Sequence, residues 1–296
     1  MTYLSFAIFS YFLNSIAVTV DKFLLAKAIP DPLIYIFYIS FISLFALFGL
    51  PFVDVPTLEV FSFASLSTLL WILGAYLMFK ALKSYQLQRV IPAIGTFTAL
   101  ILLLIGINSI SLNEALAAII LILGLILLTL NDWRGKTNLS ELTLEISSAF
   151  FLALNYYLLR EAFLREDFLT VLVWSRPILI PIFIIFILVP YFRKIVLPFL
   201  KPKSSSLKRN VFIFIFGQIS AGISELLLVF SISLANPALV NSLQGVKFVF
   251  LLVFSLILGK KFPQIFKIGH SAYFLISQIA GIGLIGLGLY ILAFSN

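Results

Sequence analysis

The stretch Ala81-Leu82-Lys83-Ser84-Tyr85-Gln86-Leu87-Gln88-Arg89-Val90-Ile91-Pro92 joins one long apolar run to the next. The same construction returns at Ser233-Leu234-Ala235-Asn236-Pro237-Ala238-Leu239-Val240-Asn241-Ser242-Leu243-Gln244. A chain written twice in this way reads as two copies of one bundle. If each copy has an odd number of membrane-crossing helices, the two insert in opposite orientations.

Composition makes the membrane the solvent. Of the 296 residues, 62% are hydrophobic and only 11% are charged, with a mean hydropathy of +1.16. A soluble domain is about a quarter charged, so this chain cannot cover itself with a polar surface. Its net charge of +8 is therefore not a nucleic-acid footprint. Lys and Arg cluster between apolar runs, where they set orientation and meet lipid headgroups. Cysteine is absent, and His270 is the single histidine. Disulfides and thiolate ligands are excluded, and no metal site is expected. The first run has no basic residue before it and no small-residue cleavage site after it, so no cleavable signal peptide is expected.

Ten apolar runs are long enough to span a bilayer, at 3–20, 32–52, 61–81, 90–109, 113–130, 143–160, 168–190, 211–232, 238–258 and 271–294. The expected fold is all-α integral membrane, with about ten transmembrane helices as two inverted five-helix repeats. The first repeat covers 1–131, a connecting loop covers 132–142, and the second repeat covers 143–296. A basic loop lies at 191–210. The odd-numbered loops hold 16 of the 20 Lys and Arg and the even-numbered loops hold 2, Arg160 and Arg165. The positive-inside rule then places the odd loops in the cytoplasm and both termini outside. The charged loops follow runs one and three in the first half, but runs seven and nine in the second. Opposite insertion requires that change of face. The sequon Asn138-Leu139-Ser140 falls in a loop read as cytoplasmic and is discounted.

Each half resembles an EamA domain of the drug/metabolite transporter superfamily. In the first, the resemblance runs through Ala81-Leu82, Val90, Pro92, the loop Ser111-Leu112-Asn113-Glu114-Ala115-Leu116 and the late glycine of Gly124-Leu125-Ile126-Leu127-Leu128. In the second it runs from Ser233-Leu234 to Gly288-Leu289-Tyr290-Ile291-Leu292. There the loop Leu258-Gly259-Lys260-Lys261-Phe262-Pro263 lacks the glutamate. The resemblance implies a multi-pass protein of the plasma membrane. It also implies a central cavity among runs one, three, four, six, eight and nine. On that basis Asn14, Tyr76, Thr96, Asn155, Tyr156, Glu225, Asn241, Gln244 and Lys247 are expected to line it. Ordinary packing is the plainer reading for Tyr76 and Tyr156.

Intramembrane charge singles out Arg176 in run seven, Glu225 in run eight and Lys247 in run nine. Gln218, Gly222 and Glu225 share a helix face, and Asn241, Gln244 and Lys247 form a second stripe. A short connection joins runs eight and nine, so Glu225 and Lys247 are expected to face each other. They would form either a substrate site, with Glu225 as a proton-coupling or amine-binding carboxylate, or a structural ion pair. Asn14 and Asp21 share a face of run one. Asp21-Lys22 and Arg160-Glu161 read as solvated pairs near the interface. Gly281, Gly283, Gly286 and Gly288 suit helix packing within a monomer or a homodimer contact.

The leading expectation is a secondary active transporter of small organic metabolites such as amino acids, driven by a proton gradient or by exchange. No Gly-x-x-x-x-Gly-Lys-Ser/Thr loop exists to bind ATP, and no cofactor is expected. The alternative is a flippase of lipid-linked substrates, which needs a lateral opening between helices. An intramembrane enzyme lacks an acid/base constellation in this sequence.

Overall fold

Apolar runs bounded by polar caps become helices throughout the computed structural model, which describes residues 2–27, 31–106, 110–129, 139–194, 206–259 and 272–294. Helix α1 covers Thr2–Lys27. Helix α2 covers Pro32–Ser43, opens on a cap in which Asp31 accepts from the Leu33 N–H at 2.8 Å, and passes into a 3₁₀ segment, Leu44–Phe52. Helices α3 (Leu58–Ser84), α4 (Leu87–Gly106) and α5 (Leu112–Thr129) follow. Then come α6 (Leu139–Phe163), α7 (Phe168–Trp174), α8 (Leu179–Leu188) and α9 (Ser206–Leu234). The chain closes with α10 (Pro237–Ser242), α11 (Gly245–Leu258) and α12 (Ala272–Phe294). No strand occurs among the described residues.

Eight helical stretches are long and apolar enough to cross a membrane, and Leu112–Leu127 and Ile276–Leu292 are shorter apolar helices. The fold is that of an all-α, multi-pass membrane protein. The two similar links are tight turns. Tyr85 and Gln86 separate α3 from α4, and Ala235 and Asn236 separate α9 from α10. Asn236 caps α10 by accepting from the Ala238 N–H at 2.8 Å, with Pro237 in the first turn. The glutamate of the 111–116 loop has a local role. Glu114 accepts from the backbone and hydroxyl of Ser111, both at 2.8 Å, and Ser111 receives the Glu114 N–H at 3.3 Å, a capping box that starts α5.

Three runs expected to be continuous helices are interrupted. The second tightens to 3₁₀ at Leu44. The seventh breaks after Trp174, where Pro177 has no N–H to give and turn bonds such as Arg176 N–H to Val173 O replace the helical ladder. The ninth breaks at Leu243 and Gln244, where Gln244 and Val246 bond three residues back. The 3₁₀ segment carries Pro51 near its end, whereas no proline stands at the third break, Leu243 and Gln244.

Helix α3 packs most extensively on α6, α1 on α9, and α5 on α12. In the last pair a Cβ at Gly124 would come within 2.9 Å of the Gly281 carbonyl, and a Cβ at Gly288 within 2.5 Å of Leu121. Gly283 and Gly286 have open space around them instead. Away from the centre, Arg89 of α4 pairs with Glu141 of α6 at 3.1 Å.

Two readings of the charged pairs change. Lys22 donates to the carbonyls of Leu82 and Tyr85, at 2.5 and 2.7 Å, capping the end of α3. Arg160 donates to those of Ile232 and Ser233, at 3.0 and 2.5 Å, capping the end of α9. Asp21 is 6% exposed. These are not solvated pairs, because each cation neutralises carbonyls that a helix end leaves unpaired. Residues 132–138, the middle of the basic loop (195–205), Asn138 of the sequon, His270 and Lys260, Lys261 and Lys267 lie outside the described residues.

Candidate functional site

The three interruptions converge. A cavity of about 330 Å³ is lined by Ser43 and Ala46 at the first break, Ser175 and Arg176 at the second, and Gln244 and Lys247 around the third. Non-helical backbone at membrane depth is tolerated where it is buried in protein or lines a cavity. Tyr11, also in the wall, shows how the backbone is re-satisfied. Its hydroxyl donates at 2.9 Å to the Val240 carbonyl, which the break in the ninth run leaves without its helical partner.

Eight of the residues read from the sequence line this cavity: Asn14 on α1, Asn155 and Tyr156 on α6, Arg176 after α7, Gln218 and Glu225 on α9, and Gln244 and Lys247 around the third break. Three lie outside its wall. Tyr76 is half-buried against the core, and Thr96 is buried with no hydrogen-bond partner for its hydroxyl. Asn241 is fully buried behind Gln244. It supports the wall without forming it: its amide donates to the Pro237 carbonyl at 3.0 Å, and its oxygen accepts from Gln244 at 2.9 Å. Gln244 in turn accepts from Lys247 at 3.4 Å. The Gln244 amide rests on Gly95, where a Cβ would stand 2.6 Å from its oxygen. Glycine at 95 makes that close approach possible.

The cavity holds both signs of charge. Arg176, Lys247, Glu225 and Asp21 all stand in its wall. The side-chain ion pairs within 4.0 Å among the described residues are Arg89–Glu141, Arg165–Glu59 and Arg165–Glu161. Neither Glu225 nor Lys247 takes part in one, so the expected Glu225–Lys247 pair is not formed, although both side chains face the same space. Lys247 lies 5.4 Å from the Phe248 ring centre, within cation–π range. The Asn155 amide nitrogen is buried in the wall without a protein acceptor.

One charged group, read from the sequence as half of a solvated pair with Lys22, belongs to the cavity instead. Asp21 lines the cavity and accepts a hydrogen bond from the hydroxyl of Tyr35, which is fully buried and receives the Gln218 amide at 3.3 Å. This network joins α1, α2 and α9. Asp21 stands seven residues after Asn14 on one helical face, and that spacing was the available signal. Among the described residues no cluster of three or more His, Cys, Asp or Glu could hold a metal ion.

No family model matches the sequence, and no curated protein does. The fold has solved counterparts. One, described simply as "crystal structure of protein", aligns over 97% of this chain and 93% of its own, with a TM-score of 0.63 and 12% sequence identity. At that identity the likeness concerns the fold alone.

Proposed function

We propose that the protein is a secondary active transporter of small zwitterionic metabolites of the amino-acid type, working by alternating access, with EamA-like kinship. The observation that carries this reading is the convergence of three interrupted helices on one cavity whose charged groups are not paired with each other. Discontinuous helices around a mid-membrane site are a recurring device of transporters. Arg176 and Lys247 suit a carboxylate, and Glu225 suits an amine. The cavity size is at the small end of ligand pockets.

The fold is read as ten spans in two inverted repeats. Exchanging the halves maps α1 onto α6 and α3 onto α9. The α3–α6 packing then maps onto the α1–α9 packing, and the Lys22 cap on α3 maps onto the Arg160 cap on α9. The interruption of the second run likewise maps onto that of the seventh. The positive-inside bias supports cytoplasmic odd loops, and a plasma membrane location fits. The glycines Gly283 and Gly286, which face open space, leave room for a homodimer, while a monomer holds all of the proposed site.

Glu225 is assigned as the coupling carboxylate, with Asp21 as a second candidate. The test is uptake of radiolabelled amino acids into proteoliposomes under an imposed pH gradient. Glu225→Gln is expected to abolish gradient-driven uptake while leaving the folded yield intact. Wild-type rates in that variant would remove Glu225 from coupling. A wild-type protein that neither binds nor moves any zwitterion would remove the reading itself.

A further inference from the structure

The cavity reaches the surface that faces lipid. On α9 the exposed side chains Phe212, Ile215, Phe216, Ile219, Ile223 and Leu226 fall at helical spacing on one stripe. Leu226 is 46% exposed and also lines the cavity, together with its neighbour Gly222. Ile42 of α2 is 37% exposed, follows the exposed Phe41, and lines the same cavity. Ile42, Gly222 and Leu226 sit near the middle of the apolar spans 32–52 and 212–234.

Aromatic contacts tie α9 to α2 at one level and to α7 at another. Phe214 of α9 meets Tyr35 and Tyr38 of α2, with ring centres 5.8 and 5.6 Å apart. Phe230 of α9 meets Phe168 of α7 at 5.2 Å. Sixteen residues of helix separate Phe214 from Phe230, or about 24 Å of rise. Between them a Cβ at Gly222 would meet no atom within 4 Å.

We infer that this gap is a lateral window, and that the substrate is an amphiphile. Its zwitterionic head occupies the polar cavity, and its alkyl tail passes between α2 and α9 into the bilayer. The inference rests on the reading of the cavity as a zwitterion site and adds the tail. A soluble metabolite needs no apolar exit at mid-depth, whereas a single-chain amphiphile can reach the cavity without its tail leaving hydrocarbon. The wall combines both characters: Glu225 and Arg176 are partly buried, and Ile42, Gly222 and Leu226 are exposed.

The test uses the full chain in lipid nanodiscs, with alanine and 2-aminodecanoic acid as probes. These share one head and differ in tail length. Binding is measured by thermal shift and titration in the wild type and in Gly222→Leu, whose side chain has room to form. The wild type is expected to prefer the long-chain probe. Gly222→Leu is expected to cut that long-over-short preference about tenfold, the effect of displacing one or two sheltered methylenes. A preference that Gly222→Leu leaves unchanged overturns the window while sparing the transport reading. Failure of both probes to bind the wild type overturns the zwitterion site, and the window with it. A photoreactive tail that labels α2 or α9 supports the proposal. One that labels only α12 refutes it.

Discussion

Glu225 shares a wall with Arg176 and Lys247 but forms no ion pair within 4.0 Å with either. Asp21 has a different setting, held by Tyr35 and Gln218 rather than by a cation. Asp21→Asn keeps an acceptor for the Tyr35 hydroxyl and removes only the titrating group. If Asp21 shares the coupling, this variant is expected to lower pH-gradient-driven uptake at least about tenfold, or about 1.4 kcal/mol in the rate-limiting step. Tyr35→Phe, which keeps the carboxylate, is expected to retain more of that uptake. Equal gradient dependence in Asp21→Asn and wild type would confine Asp21 to a structural role. Glu225, Arg176 and Lys247 were legible in the sequence because charge inside an apolar run stands out. Asp21 was not, because Lys22 beside it suggests a pair at the interface, and only the fold sends that lysine to the end of α3. Asn241 was placed in the wall on the assumption of a continuous helix, and the break at Gln244 turns it behind the wall.

At the scale of elements, two helix ends depend on a single distant cation. Lys22→Met and Arg160→Met each leave carbonyls at the end of a long helix without a donor. Each is expected to cost about 1–3 kcal/mol in partly buried surroundings, seen as a lower melting temperature. Similar losses from the two variants would agree with the proposed inverted repeat. A loss in only one would count against it. The start of α7 gives a pH signature outside the spans. Hydrogen bonding from Thr170, then from backbone N–H groups, holds the Asp167 carboxyl below its usual range. A depressed folded value contributes stability above the ordinary Asp value, about 3.9, and that contribution is lost as pH falls through the folded value. Asp167→Ala is expected to cost about 1 kcal/mol at neutral pH, the usual value of an N-cap. It is also expected to flatten the acid limb of the melting curve. An unchanged acid limb would assign that limb to other carboxylates. Helix positions were readable from run length and caps such as Asp31 and Asn236. The breaks were less so: Pro177 marks one and Pro51 lies late in the 3₁₀ segment after Ser43, but no local residue marks the turn at Gln244.

For the whole molecule, topology can be tested in an unusually clean background, because the natural chain contains no cysteine. In intact cells an impermeant maleimide is expected to label Glu166→Cys and to spare Lys83→Cys until the membrane is opened. The reverse pattern would invert the proposed orientation without altering the fold. The two similar links at 81–92 and 233–244 were legible as short joints between helices, whereas the meeting of the second, seventh and ninth runs at one cavity was not, since no local pattern encodes which distant helices become neighbours. The balance of that cavity has a further consequence. Asp21 and Glu225 against Arg176 and Lys247 sum to zero when all four are ionised. Exchange of one zwitterion for another would then displace no net charge, and the cycle would be blind to membrane voltage. Each accompanying proton would instead couple turnover to the potential at about 2.3 kcal/mol per 100 mV, and the protein would generate a current.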